Sequence, residues 1–372
     1  MKKILIVNIG TEIGGIEKCL MNFLNYLVGK DCTVDVAFWK PAGPLYSQIP
    51  KEVNILSNRG VGSFKDAIKS ASPKRIINYI RFKQLSKAGV PWKALPIMDT
   101  EYDLAISYCQ NGYSPYYVID NVKAKEKLLW YHELNYTCEG DKKDFDYKYF
   151  SQYTKICAVS QACKNNLCKA FPELKEKIIA IYNLYNDQEI ITKSQMEIPE
   201  FSDDKKTIVT VGRLSQEKGV ELAINACHQL SKIINNFVWY WVGDGDMHQT
   251  AQNLISSLGI EDCFVLLGNK NNPYPYMKNA DVYVQPSLSE AFCTTVVEAK
   301  VLSKPIVSTD VDSVFEQLEH GKNALICGKN ANELAYAISS IINDKELQNL
   351  FVQNLSTENI NDLSSYDKLL FS

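Results

Sequence analysis

Short runs of β-branched and other apolar residues alternate with stretches of helical periodicity along most of the chain. Near the start, the run Ile4–Asn8 leads through a glycine-containing loop to Ile16–Leu27, where apolar residues recur at helical spacing, and then to the run Thr33–Phe38. The second half repeats this order from Thr207–Val211 onwards. Strands that alternate with helices predict parallel sheets covered by helices on both faces, and therefore an α/β fold.

The length of the chain predicts two domains, because 372 residues exceed one ordinary hydrophobic core. We predict an N-terminal Rossmann-like domain over residues 1–190, a linker over 191–206 and a C-terminal Rossmann-like domain over 207–354, facing each other across a cleft. The linker is polar and acidic and contains Pro199. The tail, 355–372, is either a helix that packs back on the first domain or a frayed end.

Composition favours an ordinary globular protein. Hydrophobic residues make up 46% and charged residues 22%, and a formal net charge of −3 gives no field that would attract nucleic acid. The eleven cysteines include no CxxC pair, so we interpret them as buried apolar residues in a reducing cytoplasm rather than zinc ligands. No apolar run reaches membrane-spanning length, and we expect a cytoplasmic protein that can still rest on a membrane surface.

The loop Gly212–Gly219 lies between a predicted strand and a predicted helix. This position suits anions, because a helix N-terminus presents unpaired N–H groups. Arg213 offers a planar fork of donors and Lys218 a point charge, and together they suit a diphosphate. The alternative is a surface loop with two solvated cations.

Two glutamates, Glu290 and Glu298, follow the predicted strand Val282–Gln285 and are expected to open the next helix. A carboxylate stabilises a helix start, which gives the first glutamate a structural reason. The second lies at or beyond the second turn, where the effect of the helix dipole has faded. Binding of neutral hydroxyl groups explains its position better.

Two further candidates lie in the first half. Glycines in the loop Gly10–Gly15 let the backbone approach a ligand closely, although the loop lacks the GxGxxG pattern, and a tight turn is the alternative. His132 stands at the end of a predicted strand, where it could hydrogen-bond a sugar hydroxyl or a leaving phosphate. The alternative is a polar residue that caps the strand.

The segment Phe64–Lys93 is strongly basic, with eight lysines and arginines against one acidic residue, and aromatic residues are interleaved among them. This combination on a helix suits an anionic membrane surface. The alternative is a solvated amphipathic helix whose apolar face packs on the core.

Short landmarks occur in a fixed order along the chain. They are Gly14-Gly15-Ile16-Glu17, His132-Glu133, Ala158-Val159-Ser160, Tyr182-Asn183, Gly212-Arg213 with Lys218-Gly219, Val242-Gly243-Asp244-Gly245, Asn272-Pro273-Tyr274-Pro275-Tyr276, Ala280-Asp281, Pro286-Ser287, Glu290 with Glu298, and Lys304-Pro305-Ile306-Val307. Together and in this order they resemble a GT-B fold glycosyltransferase of family 4, the large retaining family, over nearly the whole chain.

The resemblance implies a nucleotide-sugar donor, UDP-linked, held mainly by the second domain without a metal or other cofactor, and it makes the first domain the acceptor side. Arg213 and Lys218 would bind the diphosphate and neutralise the departing nucleotide, as a metal does in other enzymes. Glu298 would accept hydrogen bonds from the ribose, Glu290 would contact the transferred sugar, and His132 would bind the donor sugar. The remaining donor-binding residues that it implies are Gly15, Gly212, Gly268, Asn269, Thr294 and Thr295.

The chain also departs from the family pattern. Ala291 and Cys293 replace two glycines that usually follow the first glutamate, and they narrow the space beside the sugar. The run Asn272–Tyr276, together with Glu298-Ala299-Lys300, resembles bacterial capsule and exopolysaccharide transferases. There the acceptor is a lipid-diphosphate-linked oligosaccharide, so the resemblance implies transfer of a hexose or N-acetylhexosamine to a lipid-linked glycan.

Two alternatives to a transferase stay open from the sequence. Some chains of this fold have lost catalysis and act as partners of an active transferase, although such a loss would remove the cations or glutamates, all of which are present here. A nucleotide-sugar epimerase or a phosphorylase of the same fold is the second alternative.

Overall fold

The chain folds into two parallel α/β units, which confirms the predicted fold class. The structure, a computed structural model, describes residues 1–11, 14–40, 43–56, 73–197, 201 and 204–372. The first unit comprises Met1–Leu184 and Leu363–Ser372, and the second comprises Tyr185–Asp362. The chain therefore passes from the first unit to the second at Leu184, ahead of the predicted linker, and returns at Leu363.

The first unit contains a seven-stranded parallel sheet in the order β3-β2-β1-β4-β5-β6-β7. Its strands are β1 (Lys2–Gly10), β2 (Cys32–Lys40), β3 (Asn54–Leu56), β4 (Met98–Ser107), β5 (Val122–Tyr131), β6 (Lys155–Ala158) and β7 (Ile178–Ala180). The described helices of this unit are α1 (Gly15–Leu27), α2 (Pro73–Lys87), α3 (Ser114–Asn121), α4 (Gly140–Phe150), α5 (Gln161–Ala170) and, at the end of the chain, α13 (Leu363–Phe371).

The second unit contains a six-stranded parallel sheet in the order β10-β9-β8-β11-β12-β13. Its strands are β8 (Lys206–Val211), β9 (Phe237–Val242), β10 (Phe264–Gly268), β11 (Val282–Gln285), β12 (Ile306–Thr309) and β13 (Ala324–Cys327). The described helices are α6 (Asp187–Lys193), α7 (Val220–Leu230), α8 (His248–Leu258), α9 (Tyr274–Asn279), α10 (Thr294–Val301), α11 (Ala331–Asn343) and α12 (Lys345–Ser356).

Central strands of both sheets are buried on both faces. Ile4, Leu5, Ile6 and Val7 of β1 are all fully buried, and every residue of β9 is buried. Full burial of one such side chain contributes roughly 1.5–3 kcal/mol. These continuous apolar strands explain why both sheets are parallel and covered on two sides.

The order of the strands reverses at one point in each sheet, beside β1 and β4 in the first unit and beside β8 and β11 in the second. Ligands of open parallel sheets bind outside the carboxyl ends of the strands at such a point. The loops that follow β8 and β11 therefore lie where this architecture predicts a ligand site.

The last helix, α13, packs against the first unit through Tyr366, which is almost completely buried. Its ring lies 5.6 Å from that of Phe23 and 6.3 Å from that of Trp130, and its hydroxyl donates to the carbonyl oxygen of Tyr182 at 3.0 Å. An aromatic ring and a satisfied hydroxyl together hold the end of the chain on this unit.

Candidate functional site

The loop after β8 is joined to β9 and to the loop that follows β9 by hydrogen bonds. The indole N–H of Trp241 donates to the carbonyl oxygen of Gly212 at 2.9 Å, and the N–H of Leu214 donates to that of Asp244 at 3.2 Å. In the opposite direction, the N–H of Met247 donates to the carbonyl oxygen of Leu214 at 3.1 Å. Arg213, between these anchored residues, has an exposed side chain.

Glycine is required where these loops approach one another. Gly219 has a φ of +70°, and a Cβ added there would overlap the carbonyl oxygen of Pro286, in the loop after β11. Gly243 has a φ of +138°, and a Cβ added at this position would overlap the carbonyl oxygen of Gly212. Loops from three neighbouring strands can thus pack against each other only because these positions lack a side chain.

Lys218 and Glu290 form an ion pair between two of these loops. Nζ of Lys218 lies 2.6 Å from Oε1 of Glu290, and the glutamate is 8% exposed. The same oxygen accepts hydrogen bonds from the hydroxyl of Ser287 at 2.7 Å and from Nε2 of Gln285 at 3.2 Å. A buried carboxylate that has a cation and two further donors is held in one orientation.

Gln285 organises this network, and it was not among the predicted site residues. Its Oε1 accepts hydrogen bonds from the hydroxyls of Tyr283 at 2.7 Å and Thr295 at 2.8 Å, while Nε2 donates to Ser287 at 2.7 Å and to Glu290. The residue is 1% exposed. A glutamine within an otherwise apolar strand was the available signal, because a buried amide must find partners.

Replacing Gln285 with methionine is expected to lower the free energy of unfolding by roughly 4 kcal/mol, since each of the four lost side-chain hydrogen bonds contributes about 1 kcal/mol. On the expectation of a UDP-linked donor, UDP affinity should fall as well, because Glu290 and Thr295 lose a common anchor. The matched control is Gln348→Met, which removes a buried glutamine that donates to the carbonyl oxygen of Ile341 in the same unit. Urea unfolding and UDP titration of both variants test this, and equal UDP affinity would contradict the role of Gln285.

The expectation that Glu290 opens the helix is wrong. The helix α10 begins at Thr294, four residues later, and the carboxylate of Glu290 is turned back towards the end of β11 by its hydrogen bonds to Gln285 and Ser287. Glu298 lies in the second turn of α10, as predicted, where it is 4% exposed and accepts a hydrogen bond from the hydroxyl of Tyr274 at 3.1 Å.

The remaining predicted donor-binding residues of the second unit lie at the same edge of its sheet. Thr294 and Thr295 begin α10 and are half-buried. Gly268 ends β10, with a φ of +67°, and its carbonyl oxygen accepts the N–H of Gly243 at 2.9 Å; the adjacent Asn269 is exposed. Hydrogen bonds thus join the loops carrying Gly212, Lys218, Gly268, Glu290 and Thr295.

The other two predicted residues belong to the first unit. Gly15 is the exposed first residue of α1, and a Cβ built there would meet nothing within 4 Å. His132 follows β5 directly, and its backbone N–H donates to Oε1 of Gln110 at 2.9 Å. Both stand at the carboxyl edge of the first sheet. Residues 12 and 13 of the predicted loop Gly10–Gly15 lie outside the described residues.

The ring of His132 has a defined protonation state. Its Nε2 lies 2.9 Å from the carbonyl oxygen of Tyr108, and because a carbonyl oxygen can only accept, Nε2 carries the proton. Burial lowers the pKa of His132 to about 4, and the bond to Tyr108 opposes that shift only in part. Near neutral pH the ring is therefore uncharged, and Nδ1 can accept a hydrogen bond from a hydroxyl group.

Replacing His132 with glutamine is expected to reduce the pH dependence of stability between pH 4 and 6.5. In that window the unfolded chain binds a proton at this residue and the folded chain does not, so the free energy of unfolding rises with pH. His320→Gln is the control, since this histidine is exposed. Urea unfolding at a series of pH values checks the prediction, and parallel curves for wild type and His132→Gln would refute it.

The predicted basic segment Phe64–Lys93 is described only from residue 73 onwards. There α2 presents Ile77 and Ile80 to solvent, 62% and 48% exposed, on the same helix as the exposed side chains of Arg81 and Lys83. Among the described residues, no helix has the length and apolar character needed to cross a membrane. Within the same part of the chain, no three His, Cys, Asp or Glu residues are grouped so that they could hold a metal ion.

Residues 192–356 match the family described as "Glycosyl transferases group 1". An uncharacterized glycosyltransferase of Methanocaldococcus jannaschii is 30% identical over 60% of each chain, and one of Haemophilus influenzae is 27% identical over 93% of this chain and 92% of that protein. The Campylobacter jejuni N-acetylgalactosamine-N,N'-diacetylbacillosaminyl-diphospho-undecaprenol 4-alpha-N-acetylgalactosaminyltransferase is 26% identical over 47% of each chain. Matches to three M. jannaschii relatives span 60%, 42% and 56% of their lengths.

Solved structures share the fold over the whole chain. Anabaena HepE in complex with UDP and glucose superimposes with a TM-score of 0.73 at 18% identity, covering 99% of this chain and 98% of that one. A mutant of S. aureus TarM in complex with Fondaparinux, alpha-GlcNAc-glycerol and UDP gives 0.73 at 14% identity, covering 100% of both chains. The family match lies within the second unit, whereas the structural matches cover both units and show the fold alone.

Proposed function

We propose that this chain is a retaining, metal-independent family 4 glycosyltransferase that moves a hexose or N-acetylhexosamine from a UDP-sugar to a lipid-linked glycan in bacterial surface polysaccharide synthesis. The observation that carries the proposal is the placement of Arg213, Lys218 and Glu290 on interlocked loops beside the point where the strand order reverses. Cations and a fixed carboxylate at that edge suit an activated sugar joined to a diphosphate.

The two cations have different tasks in this proposal. The exposed guanidinium of Arg213 can bind two oxygens of a diphosphate at once. An ammonium has three donors, and Lys218 uses one of them on Glu290, so the others can bind the phosphate nearest the sugar. Both charges offset the negative charge that develops on the departing UDP, and no metal or cofactor is required for that task.

The carboxylates and the helix start would bind neutral parts of the donor. Within the described part of the chain, Lys218, Gln285 and Ser287 donate hydrogen bonds to the carboxylate of Glu290, and all three bind Oε1. Oε2 would then accept a hydrogen bond from a hydroxyl group of the transferred sugar. Glu298 would accept hydrogen bonds from the ribose, with Thr294 and Thr295 nearby at the start of α10. The backbone at Gly268 and Asn269 would contact the base. From the first unit, the backbone at Gly15 would approach the phosphates. Nδ1 of the neutral His132 would accept a hydrogen bond from a hydroxyl group of the sugar.

The choice of donor and acceptor draws on the relatives. UDP is present in the structures of HepE and of the TarM mutant, which share this fold. The name of the C. jejuni relative includes a diphospho-undecaprenol acceptor, which supports a lipid-linked glycan here. Such an acceptor lies at a membrane, and we propose that the basic segment 64–93 makes peripheral contact with the inner face of the plasma membrane, with Ile77 and Ile80 at that surface.

The decisive experiment is a screen of UDP-sugars for slow hydrolysis without acceptor, with the released sugar analysed by NMR. Hydrolysis of one UDP-sugar, with the initial product in the anomeric configuration of the donor and the rate unchanged by EDTA, is expected. Binding of UDP without turnover of any nucleotide sugar would favour the alternative, a catalytically silent partner subunit. Inversion of the anomeric centre would exclude the retaining assignment, and an EDTA-sensitive rate would exclude metal independence.

A further inference from the structure

Two cysteines of the second unit, Cys227 and Cys263, are in contact although 36 positions separate them in the chain. Sγ of Cys227, in α7, donates to the carbonyl oxygen of Cys263 at 3.5 Å. Cys263 directly precedes β10 and so lies at the amino end of its strand, whereas Arg213 and Lys218 follow the carboxyl end of a parallel strand. Donor binding therefore does not explain this pair of thiols.

The two thiols differ in exposure and in acidity. Cys227 is completely buried, and its pKa is raised because its thiol donates a hydrogen bond to Cys263 and because burial disfavours the thiolate. Cys263 is half-buried, and the hydrogen bond from Cys227 lowers its pKa to about 7, although burial and the carboxylates of Asp262 and Glu261 oppose that shift. A small oxidant from solution therefore reaches Cys263 first, and meets a thiolate there in many of the molecules at neutral pH.

The backbone at Cys263 is held by hydrogen bonds that a bond between the two sulfurs would not disturb. Its N–H donates to the carbonyl oxygen of Ile260 at 3.1 Å, and its own carbonyl oxygen accepts the N–H of Trp239 at 2.8 Å. That carbonyl oxygen keeps Trp239 as a donor when the thiol of Cys227 loses its hydrogen. Rotation of the two side chains can therefore join the sulfurs without leaving this carbonyl group unpaired.

Other uses of two adjacent thiols fit this place less well. A structural zinc ion takes four ligands, and in the part of the chain that the structure describes no third His, Cys, Asp or Glu is grouped with this pair. Cys327, half-buried in the same unit, shows what a single cysteine does: its thiol donates to the carbonyl oxygen of Ser308 at 3.7 Å, and burial raises its pKa to about 12. Cys263, with its lowered pKa, is chemically different from such a residue.

We propose that Cys227 and Cys263 form a reversible disulfide, with hydrogen peroxide or another small hydroperoxide as the oxidant. The thiolate of Cys263 attacks one peroxide oxygen: an S–O bond forms, the O–O bond breaks, and the departing hydroxide takes up a proton to become water. The sulfur of Cys227 then attacks that of the sulfenic acid, so that the S–S bond forms and the S–O bond breaks. The proton of the Cys227 thiol leaves with the hydroxide as a second water, and two electrons have passed from the thiols to the peroxide.

The disulfide would stabilise the second unit against unfolding. It joins α7 to the start of β10 and closes a loop that contains β9 and α8. A cross-link of this kind restricts the unfolded chain, so the urea midpoint of the oxidised protein is expected to rise by about 1 M. The midpoint should return to its original value when a dithiol reductant is added. This modification does not depend on the proposed function.

Peptide mapping by mass spectrometry tests the proposal on the reduced full-length protein, treated with hydrogen peroxide and then alkylated. Linked peptides that carry Cys227 and Cys263 are expected as the main disulfide product. Cys263→Ser should lose both this link and the rise in the urea midpoint, and Cys227→Ser should accumulate the sulfenic acid of Cys263, which dimedone traps. Cys327→Ser is the matched control and should keep the link and the rise.

The proposal is overturned if the native wild-type protein forms no link between Cys227 and Cys263. It is also overturned if protein oxidised in denaturing urea forms this link in the same proportion, because the fold would then not be what brings the thiols together. A rise in the urea midpoint of oxidised Cys263→Ser equal to that of the wild type would contradict it as well. Circular dichroism shows whether each variant is folded, and Cys263→Ser, at the half-buried position, remains a test should Cys227→Ser unfold.

Discussion

Replacement of Arg213 with alanine is expected to lower sugar transfer by about 10²–10³-fold, the loss typical of removing one preorganised group that stabilises transition-state charge. The side chain is exposed and lies on a loop whose backbone is held by Trp241 and Asp244. The free energy of unfolding should therefore change by no more than about 0.5 kcal/mol. Turnover of the UDP-sugar identified by the hydrolysis screen, together with urea unfolding, measures the two effects.

Two further variants serve as controls for Arg213→Ala. Lys232→Ala removes another exposed cation of the same unit and should leave turnover unchanged. Arg213→Lys keeps the charge but loses the planar fork, and an intermediate rate is expected. An Arg213→Ala variant that transfers sugar at the wild-type rate would contradict the proposed binding of the diphosphate.

Lys218 requires a different experiment because it has a structural partner. Lys218→Ala leaves the buried carboxylate of Glu290 without its cation, so lost activity could reflect lost stability. The double variant Lys218→Met/Glu290→Gln removes both charges, and it is expected to fold more stably than Lys218→Ala alone while transfer remains low. Recovery of activity in the double variant would show that the charge of Lys218 is not needed for transfer.

The sequence predicts most of the fold because strand and helix periods are local properties. The strands β1, β2, β8 and β11 run through the apolar stretches that predict them, and β11 has the predicted bounds. The helix α4 was not predicted, since it lacks an apolar stripe: its buried face includes Asp146, together with Tyr149 and Phe150. The carboxylate of Asp146 can be buried because two tyrosine hydroxyls and a lysine bind it. In the sequence alone, such a residue cannot be distinguished from an exposed aspartate.

The candidate site was predictable in its charged residues and not in their support. Arg213, Lys218 and Glu290 stand at strand ends, and a position after a parallel strand can be recognised from local patterns. The role of Gln285 depends on hydrogen bonds to Tyr283, Thr295 and the loop at Ser287, which form only after separate segments have packed. The true start of α10 could not be predicted either, because Glu290 turns back to that same network.

The second large effect is expected at Gly219, where alanine should cost about 3 kcal/mol or more of stability. Two causes act together: a φ of +70° that alanine adopts reluctantly, and a Cβ that would overlap the carbonyl oxygen of Pro286. Relief of that overlap must separate the loop bearing Lys218 from the loop bearing Glu290. UDP affinity should therefore fall by about tenfold, or roughly 1.4 kcal/mol.

Gly259→Ala separates the two causes. Gly259 has nearly the same backbone conformation, with a φ of +66°, yet a Cβ there would meet nothing within 4 Å. Only the cost of the left-handed conformation remains, roughly 1–2 kcal/mol, and UDP affinity should not change. Urea unfolding and UDP titration of the two variants thus compare conformational strain alone with strain plus loop displacement. Equal losses of stability in both variants, with UDP affinity unchanged, would mean that close packing of the loops after β8 and β11 does not hold the site together.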